Sequence, residues 1–201
     1  MGQEKIDGPK VTLHVVSSLD GFIARNDNSV SWFEGYENSY EAGAVLSAEQ
    51  IAAFVQSIDC YVMGSHTYEH ALQLGWPYGD TPVVVVTKRA WPRPEKKVEF
   101  YVGDLVELVS QKLAPRFHNI WLVGGAQLSQ RFLELGLVDE IKLTIAPILL
   151  GDGLRLFGNG TEERWLLKDV VAYRNGFVEL SYSALASREH SKNPSDKRPA
   201  E

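Results

Sequence analysis

Four valines in succession, Val83-Val84-Val85-Val86, constrain this chain more than any other feature. A strand of that composition has no polar face to turn to water, so both of its faces must be covered. Val11–Ser17, Cys60–Met63 and Ile120–Val123 are comparable apolar runs, and Glu99–Val102 is a fifth strand candidate. Strands buried on both sides are typically parallel, and parallel neighbours need a crossover connection, usually a helix. The intervening stretches supply helices. Ser47-Ala48-Glu49-Gln50 resembles a capping box, after which Ile51, Phe54, Val55 and Ile58 share one helical face. A strand ending in Met63-Gly64 gives way to a helix start at Ser65-His66-Thr67. Asp104-Leu105-Val106-Glu107 opens another helix, continued by Leu108, Val109 and Leu113. The last begins after Gly124-Gly125, turns Leu128 and Phe132 inward, and stops at Gly136.

The C-terminal third follows a different rule. Glu140–Pro147, Leu166–Tyr173 and Phe177–Ser183 alternate apolar and polar residues, and Arg174-Asn175-Gly176 is a hairpin signal. The expected architecture is therefore α/β, a mostly parallel central sheet with antiparallel C-terminal strands. A length of 201 residues suits one core and is short for two. With no repeat or linker, residues 1–186 are expected to form a single domain. Residues 187–201, SREHSKNPSDKRPAE, lack any large apolar side chain and are expected to be a disordered tail.

Charge narrows the function classes. A net charge of −6 and a pI near 5.4 argue against a nucleic-acid or anionic-membrane binder. No apolar run approaches the ~20 residues of a membrane span. The opening MGQEKIDGPK has no apolar segment of a secretory signal, and the cytoplasm is the expected location. The single cysteine, Cys60, excludes an intrachain disulfide and reads as a small buried hydrophobe.

Three strand ends carry candidate chemistry. After Ile120–Val123, Gly124 and Gly125 let backbone approach a ligand, and the helix that follows offers unpaired N–H donors at Ala126 and Gln127. After Cys60–Met63, Gly64 leads to a helix whose first turn holds Ser65, His66 and Thr67. Two such termini after two parallel strands can clamp a pyrophosphate. After the valine run, Thr87-Lys88-Arg89 puts a hydroxyl and two cations at a strand terminus, where ligands of open α/β sheets gather. An alternative reading uses His66-Thr67-Tyr68-Glu69-His70, which matches H-x-x-E-H and would make a zinc hydrolase through His66, Glu69 and His70. No G-x-S-x-G nucleophile elbow is present, and Cys60 lies in a strand interior.

Taken in order, Ser18-Leu19-Asp20-Gly21-Phe22-Ile23-Ala24, Met63-Gly64-Ser65-His66-Thr67-Tyr68-Glu69, Val123-Gly124-Gly125 and Pro147-Ile148-Leu149-Leu150-Gly151-Asp152-Gly153 resemble the dihydrofolate reductase-like superfamily. The branch is similar to the C-terminal reductase domain of the bifunctional riboflavin-biosynthesis deaminase-reductase. The resemblance spans about Val11 to Ser183 and implies a three-layer fold and an NADPH-dependent reductase. It gives Gly124 and Gly125, often joined by a cis peptide, the pyrophosphate, with Ala126 and Gln127 beside them. Thr67 would meet the phosphates with Gly64, Ser65 and His66 alongside, and Thr87, Lys88 and Arg89 the adenosine ribose and its 2′-phosphate. Ala24 would pass the nicotinamide. The segment VSSLDGFIARNDNSVSWFEG would be a mobile loop over nicotinamide and substrate, with Ser18, Asp20 and Trp32 as substrate contacts.

The sequence also departs from the family pattern. Folate reductases place a carboxylate in the first helix, where this chain has Glu49 or Gln50; Asp20 and Glu49 are the candidate proton donors. Dihydrofolate is thus doubtful as a substrate, and a small pterin-like, pyrimidine-like or carbonyl-bearing molecule is expected. Ser65 stands where many folate reductases have arginine. The zinc-binding pattern of the deaminase half is absent. A nucleotide-binding protein without turnover is the rival reading. The resemblance further implies pairing into a homodimer.

Overall fold

The computed structural model describes residues 8–92, 94, 97–158, 160 and 162–185, so the tail expected at 187–201 lies outside the described residues. The first half alternates strand and helix: β1 (Lys10–Ser18), a short β2 (Phe22–Ala24), α1 (Ala48–Gln56), β3 (Cys60–Gly64), α2 (Ser65–Gln73), β4 (Val83–Val86) and β5 (Val98–Tyr101). There follow α3 (Leu105–Glu107), which runs on as a π-helical stretch (Leu108–Leu113), β6 (Asn119–Gly124) and α4 (Ala126–Glu134). The chain then continues in strands: β7 (Glu140–Ala146), β8 (Leu154–Arg155), β9 (Trp165–Ala172) and β10 (Val178–Ala184).

Eight strands make one sheet in the order β5-β4-β3-β6-β1-β7-β10-β9, while β2 and β8 pair separately. Every pairing from β5 to β7 is parallel, and β10 then pairs antiparallel with β7 and with β9. The expected α/β architecture with an antiparallel C-terminal end is what forms. Gly176 closes the final hairpin at φ +84° and donates to the Tyr173 carbonyl at 3.0 Å. Gly136 ends α4 at φ +67°.

The valine run lies at the heart of this sheet. Val83, Val84 and Val85 are buried, and their alternation sends them to two different cores. On one face Val11, Leu13, Val62 and Leu122 pack with Leu105, Leu108, Leu113 and Phe132, the residues of α3, its π-helical extension and α4. On the other Tyr61, Met63 and Val85 pack with Tyr68 of α2. Cys60 is fully buried in the first core, and burial pushes its thiol up to about 12, so it acts as packing.

The first helix departs from expectation. Its capping box forms, with the Gln50 amide donating to Ser47 Oγ at 3.2 Å and the Ser47 amide to Gln50 Oε1 at 2.9 Å. Its apolar face, however, is not buried: Ile51 and Val55 are exposed, and no α1 residue is fully covered. Phe54 is its contact with the sheet side chains, meeting His14 and Trp121 at ring distances of 5.2 and 5.4 Å.

Candidate active site

The adjacent strands β3 and β6 feed helices that leave to opposite faces of the sheet. Where neighbouring connections diverge in this way a crevice opens beyond the strand ends, the usual ligand position in such sheets. Gly64 and Gly124 end these two strands, and a Cβ added to Gly64 would lie 3.9 Å from the Gly124 carbonyl oxygen. Gly124 has φ +116°, a conformation L side chains rarely adopt, and the Gly124–Gly125 peptide is cis. A Cβ on Gly125 would sit 3.5 Å from Thr67 Oγ1. The glycine pair, Gly64 and Thr67 are thus brought to one place from segments far apart in sequence.

The helix termini there differ from the others. Ser47 caps α1, and Asp104 caps α3 by accepting from the Val106 and Glu107 amides at 2.8 and 3.1 Å. The α2 and α4 N-caps are Gly64 and Gly125, and neither terminus has a side-chain cap. Each leaves first-turn N–H groups and the positive end of the helix dipole without a protein side chain to answer them. Ser65, Thr67 and Ala126 are half-buried at this edge, and Gln127 and His66 are exposed.

The basic turn follows β4, one strand beyond β3. Thr87 is buried and accepts the Arg89 amide at 3.0 Å, which shapes the turn. Lys88 is exposed. The Arg89 guanidinium pairs with Glu69 at 2.9 Å and lies 3.3 Å from His66 Nε2. This arrangement joins the turn to the first two turns of α2. It also weighs against zinc at His66, Glu69 and His70, since the Glu69 carboxylate is turned to the Arg89 guanidinium. Among the described residues no group of three or more His, Cys, Asp or Glu could hold a metal.

The opening loop is tied down where it leaves β1. Asp20 accepts from the Ser18 hydroxyl at 2.5 Å, from the Leu150 amide at 3.1 Å and from the Gly151 amide at 2.7 Å. The Ser18 hydroxyl bond is the largest influence on the Asp20 carboxyl and, with the Gly151 and Leu150 amides, outweighs the opposing effect of desolvation to lower it to about 2. Ser18 is itself buried, and its Oγ accepts the Phe22 amide at 3.0 Å. Asn26 reaches Asp152 at 2.9 Å, and β2 pairs with β8. Gly153 is indispensable there, since a Cβ would come within 2.2 Å of the Ala24 carbonyl oxygen. Ala24 is buried under this contact. Trp32 stands in a 3-10 turn (Ser31–Phe33), buried among Ala146, Phe177, Val16 and Tyr36. Its Nε1 is buried with no partner, an N–H donor left open.

Neither proposed proton donor has the environment of one. Asp20 is ionised at neutral pH and its oxygens are occupied by three donors, so it acts as a clamp between the β1 exit and residues 150–151. Glu49 is exposed in the first turn of α1, and a hydrogen bond from the Ser47 side chain lowers its carboxyl. A general acid working near pH 7 needs a shift in the other direction. Sequence reasoning also passed over His14 and Glu179, which strand register brings together beside a cavity of about 500 Å3 on the α1/α2 face. Nothing in their local sequence marks them. A larger cavity of about 610 Å3, lined by Leu133, Phe157 and Trp165, opens on the α4 face. Its rim carries Glu134, Glu162 and Glu163, a poor setting for phosphate.

A mostly parallel sheet with a glycine-lined switch point, two uncapped helix termini and an antiparallel C-terminal end defines an α/β domain with a ligand-sized crevice at its strand ends. The chain belongs to the RibD C-terminal domain family, which matches residues 9–178. It is 31% identical over 175 residues to the uncharacterised protein YwjB of Bacillus subtilis, a match covering 86% of this chain and 97% of that one. A crystal structure from Shewanella sp. PV-4, named for riboflavin biosynthesis, superposes with a TM-score of 0.75 at 26% identity, covering 87% of this chain and 98% of that one. The Thermotoga maritima diaminohydroxyphosphoribosylaminopyrimidine deaminase/5-amino-6-(5-phosphoribosylamino)uracil reductase shares the fold, with a TM-score of 0.66 at 16% identity, over 89% of this chain and 57% of that one. Among the described residues no helix is long and apolar enough to cross a membrane.

Proposed function

We propose that the chain is an NADPH-dependent oxidoreductase that delivers hydride to a small heterocyclic, pterin- or pyrimidine-like, or carbonyl-bearing substrate. The observation that carries this reading is the meeting of two uncapped helix N-termini across the Gly64/Gly124-Gly125 crevice. A pyrophosphate is the ligand that such a pair of donors suits. Lys88 and Arg89, one strand further along the same edge, suit a 2′-phosphate. NADPH, when bound, supplies the hydride. The chain's own residues would hold its phosphates, orient the ring and keep water away under the loop that Asp20 and Trp32 fix. Membership of the RibD C-terminal domain family supports a reductase, as does the name of the Thermotoga maritima protein.

Thermal unfolding with NADPH, NADH and no ligand tests the reading. A ligand at ~100 times its Kd adds ~2.7 kcal/mol, enough to raise the midpoint visibly. The expected order is a large rise with NADPH and a smaller one with NADH. Absence of any rise would remove the cofactor assignment. A rise without oxidation of NADPH by any pterin or pyrimidine offered would favour the non-catalytic nucleotide-binding reading.

A further inference from the structure

Among the described residues the chain forms only strands after α4, so β10 and β9 carry the sheet past its last helix. Elsewhere on this face α3, its π-helical extension and α4 cover the strands. A trough of about 610 Å3 is left between α4 and the segment that joins β8 to β9. Register builds its floor: Ile141 of β7 stands opposite Tyr182 of β10, and Leu143 follows two residues on along the same face. Leu133 of α4 lines it as well, with Phe157 and Trp165 from the outer segment and β9. Gly158 brings that segment close to α4, since a Cβ there would come within 2.7 Å of Gln130 Oε1.

Shape and charge together select what such a trough would take. Its surface is mostly apolar and includes the rings of Phe157, Trp165 and Tyr182, which suit a flat or compact apolar body. Its charge has one sign. Glu134, Glu162 and Glu163 stand at the rim, and no lining residue is Lys, Arg or His. The hydrogen bond from Arg131, followed by that from Gln130, holds the Glu134 carboxyl below its ordinary range, so this group is ionised and already answered. Glu162 is exposed. An anion is repelled from such a rim and a cation drawn to it. The aromatic faces add to the attraction for a cation.

We propose that this trough is a second ligand site, taking an amine carried on an aromatic or alicyclic body, and that Phe157 passes its occupation to the loop at the strand ends. The body would lie against Leu133, Phe157 and Trp165, with the ammonium group at Glu162. Phe157 is exposed, so a ligand seated on it removes apolar surface from water. Its neighbour Leu156 is buried, and the Leu156 amide donates to the Gly21 carbonyl at 2.9 Å. Arg155 pairs with Phe22 in the β2–β8 ladder and holds its guanidinium 4.7 Å from the centre of the Phe22 ring. A shift at Phe157 therefore reaches residues 21–24 through one continuous stretch of backbone. A ligand that favours one position of that stretch favours one position of the loop. The site stands on the α4 face and does not depend on the nucleotide reading.

The test is the fluorescence anisotropy of 9-anthracenylmethylamine titrated with the full chain, with 9-anthracenemethanol and 9-anthracenecarboxylate as probes of similar shape that lack the cation. The amine should bind about tenfold tighter than the carboxylate and about threefold tighter than the alcohol, since exposed ion pairs contribute modestly. Glu162→Gln should weaken the amine by about threefold and leave the alcohol unchanged. Phe157→Ala should weaken amine and alcohol alike by about fivefold. Both side chains are exposed, so both variants should fold. With the amine bound, amide exchange at residues 22–24 should slow by about twofold or more. Equal affinity for amine and carboxylate overturns the site, as does wild-type affinity for the amine in Phe157→Ala or a wild type that binds no probe. So does a chain that sediments as a dimer and that Phe157→Ala converts to a monomer, because the trough is then a contact between two copies. Binding with exchange at residues 22–24 unaltered overturns the link to the loop.

Discussion

Gly125 and Asp20 show how single residues set the site. An alanine Cβ at position 125 would make ordinary contact with Thr67 Oγ1 at 3.5 Å, so Gly125→Ala should fold. The same methyl stands in the cradle where a phosphate oxygen is expected to approach. NADPH affinity should fall at least about tenfold, ~1.4 kcal/mol, with the unliganded midpoint unchanged. Wild-type affinity in that variant would move the pyrophosphate elsewhere. At Asp20 the charge is what matters. Its carboxyl titrates at about 2 in the folded chain against an ordinary 3.8, so folding favours the ionised form. The resulting stabilisation is complete above about pH 4 and fades as the pH falls toward 2. Asp20→Asn should therefore unfold at lower urea than wild type at pH 7, with the gap narrowing between about pH 4 and pH 2. A gap that stays constant through that range would mean that the clamp does not depend on ionisation.

Among the elements, the contrast in helix caps separates scaffold from site. The α1 box is closed by its own side chains, and Ser47→Ala should remove about 1 kcal/mol of local stability. Because α1 buries no residue fully, the loss should appear as roughly fivefold faster amide exchange within α1, with little change in the global midpoint. A global loss of the same size would mean that α1 unfolds with the core. This box was legible in Ser47-Ala48-Glu49-Gln50, as the two glycine-led helix starts were in their own segments. The exposure of Ile51 and Val55 was not, because periodicity reports which residues share a face and not whether anything lies opposite. His14 and Glu179 were invisible for a related reason. They stand near opposite ends of the chain, and only the β1–β7–β10 register puts them on one face. Asp20 drew attention as a possible acid, and the amides of Leu150 and Gly151 that occupy it come from a segment far along the chain.

For the molecule as a whole, the sheet separates the proposed cofactor edge from two unlike faces, and this gives an expected pattern of ligand response that cannot follow sequence order. The groups proposed to face phosphate lie in the first turns of α2 and α4 and in the 87–89 turn, three segments brought together by the adjacency of β4, β3 and β6. Amide exchange followed with NADPH should slow at residues 65–68, 87–89 and 126–129 together. The capped α1 and the edge strand β9, which border neither glycine, should exchange as before. NADH should protect the α2 and α4 turns but leave 87–89 nearly unchanged, since it lacks the phosphate that Lys88 and Arg89 are expected to hold. Protection centred on Phe157, Trp165 and the α4 face would instead place the nucleotide in the larger, acid-rimmed cavity. One outcome lies at the strand ends and the other on the α4 face around Phe157 and Trp165, so the experiment decides between them without a substrate in hand.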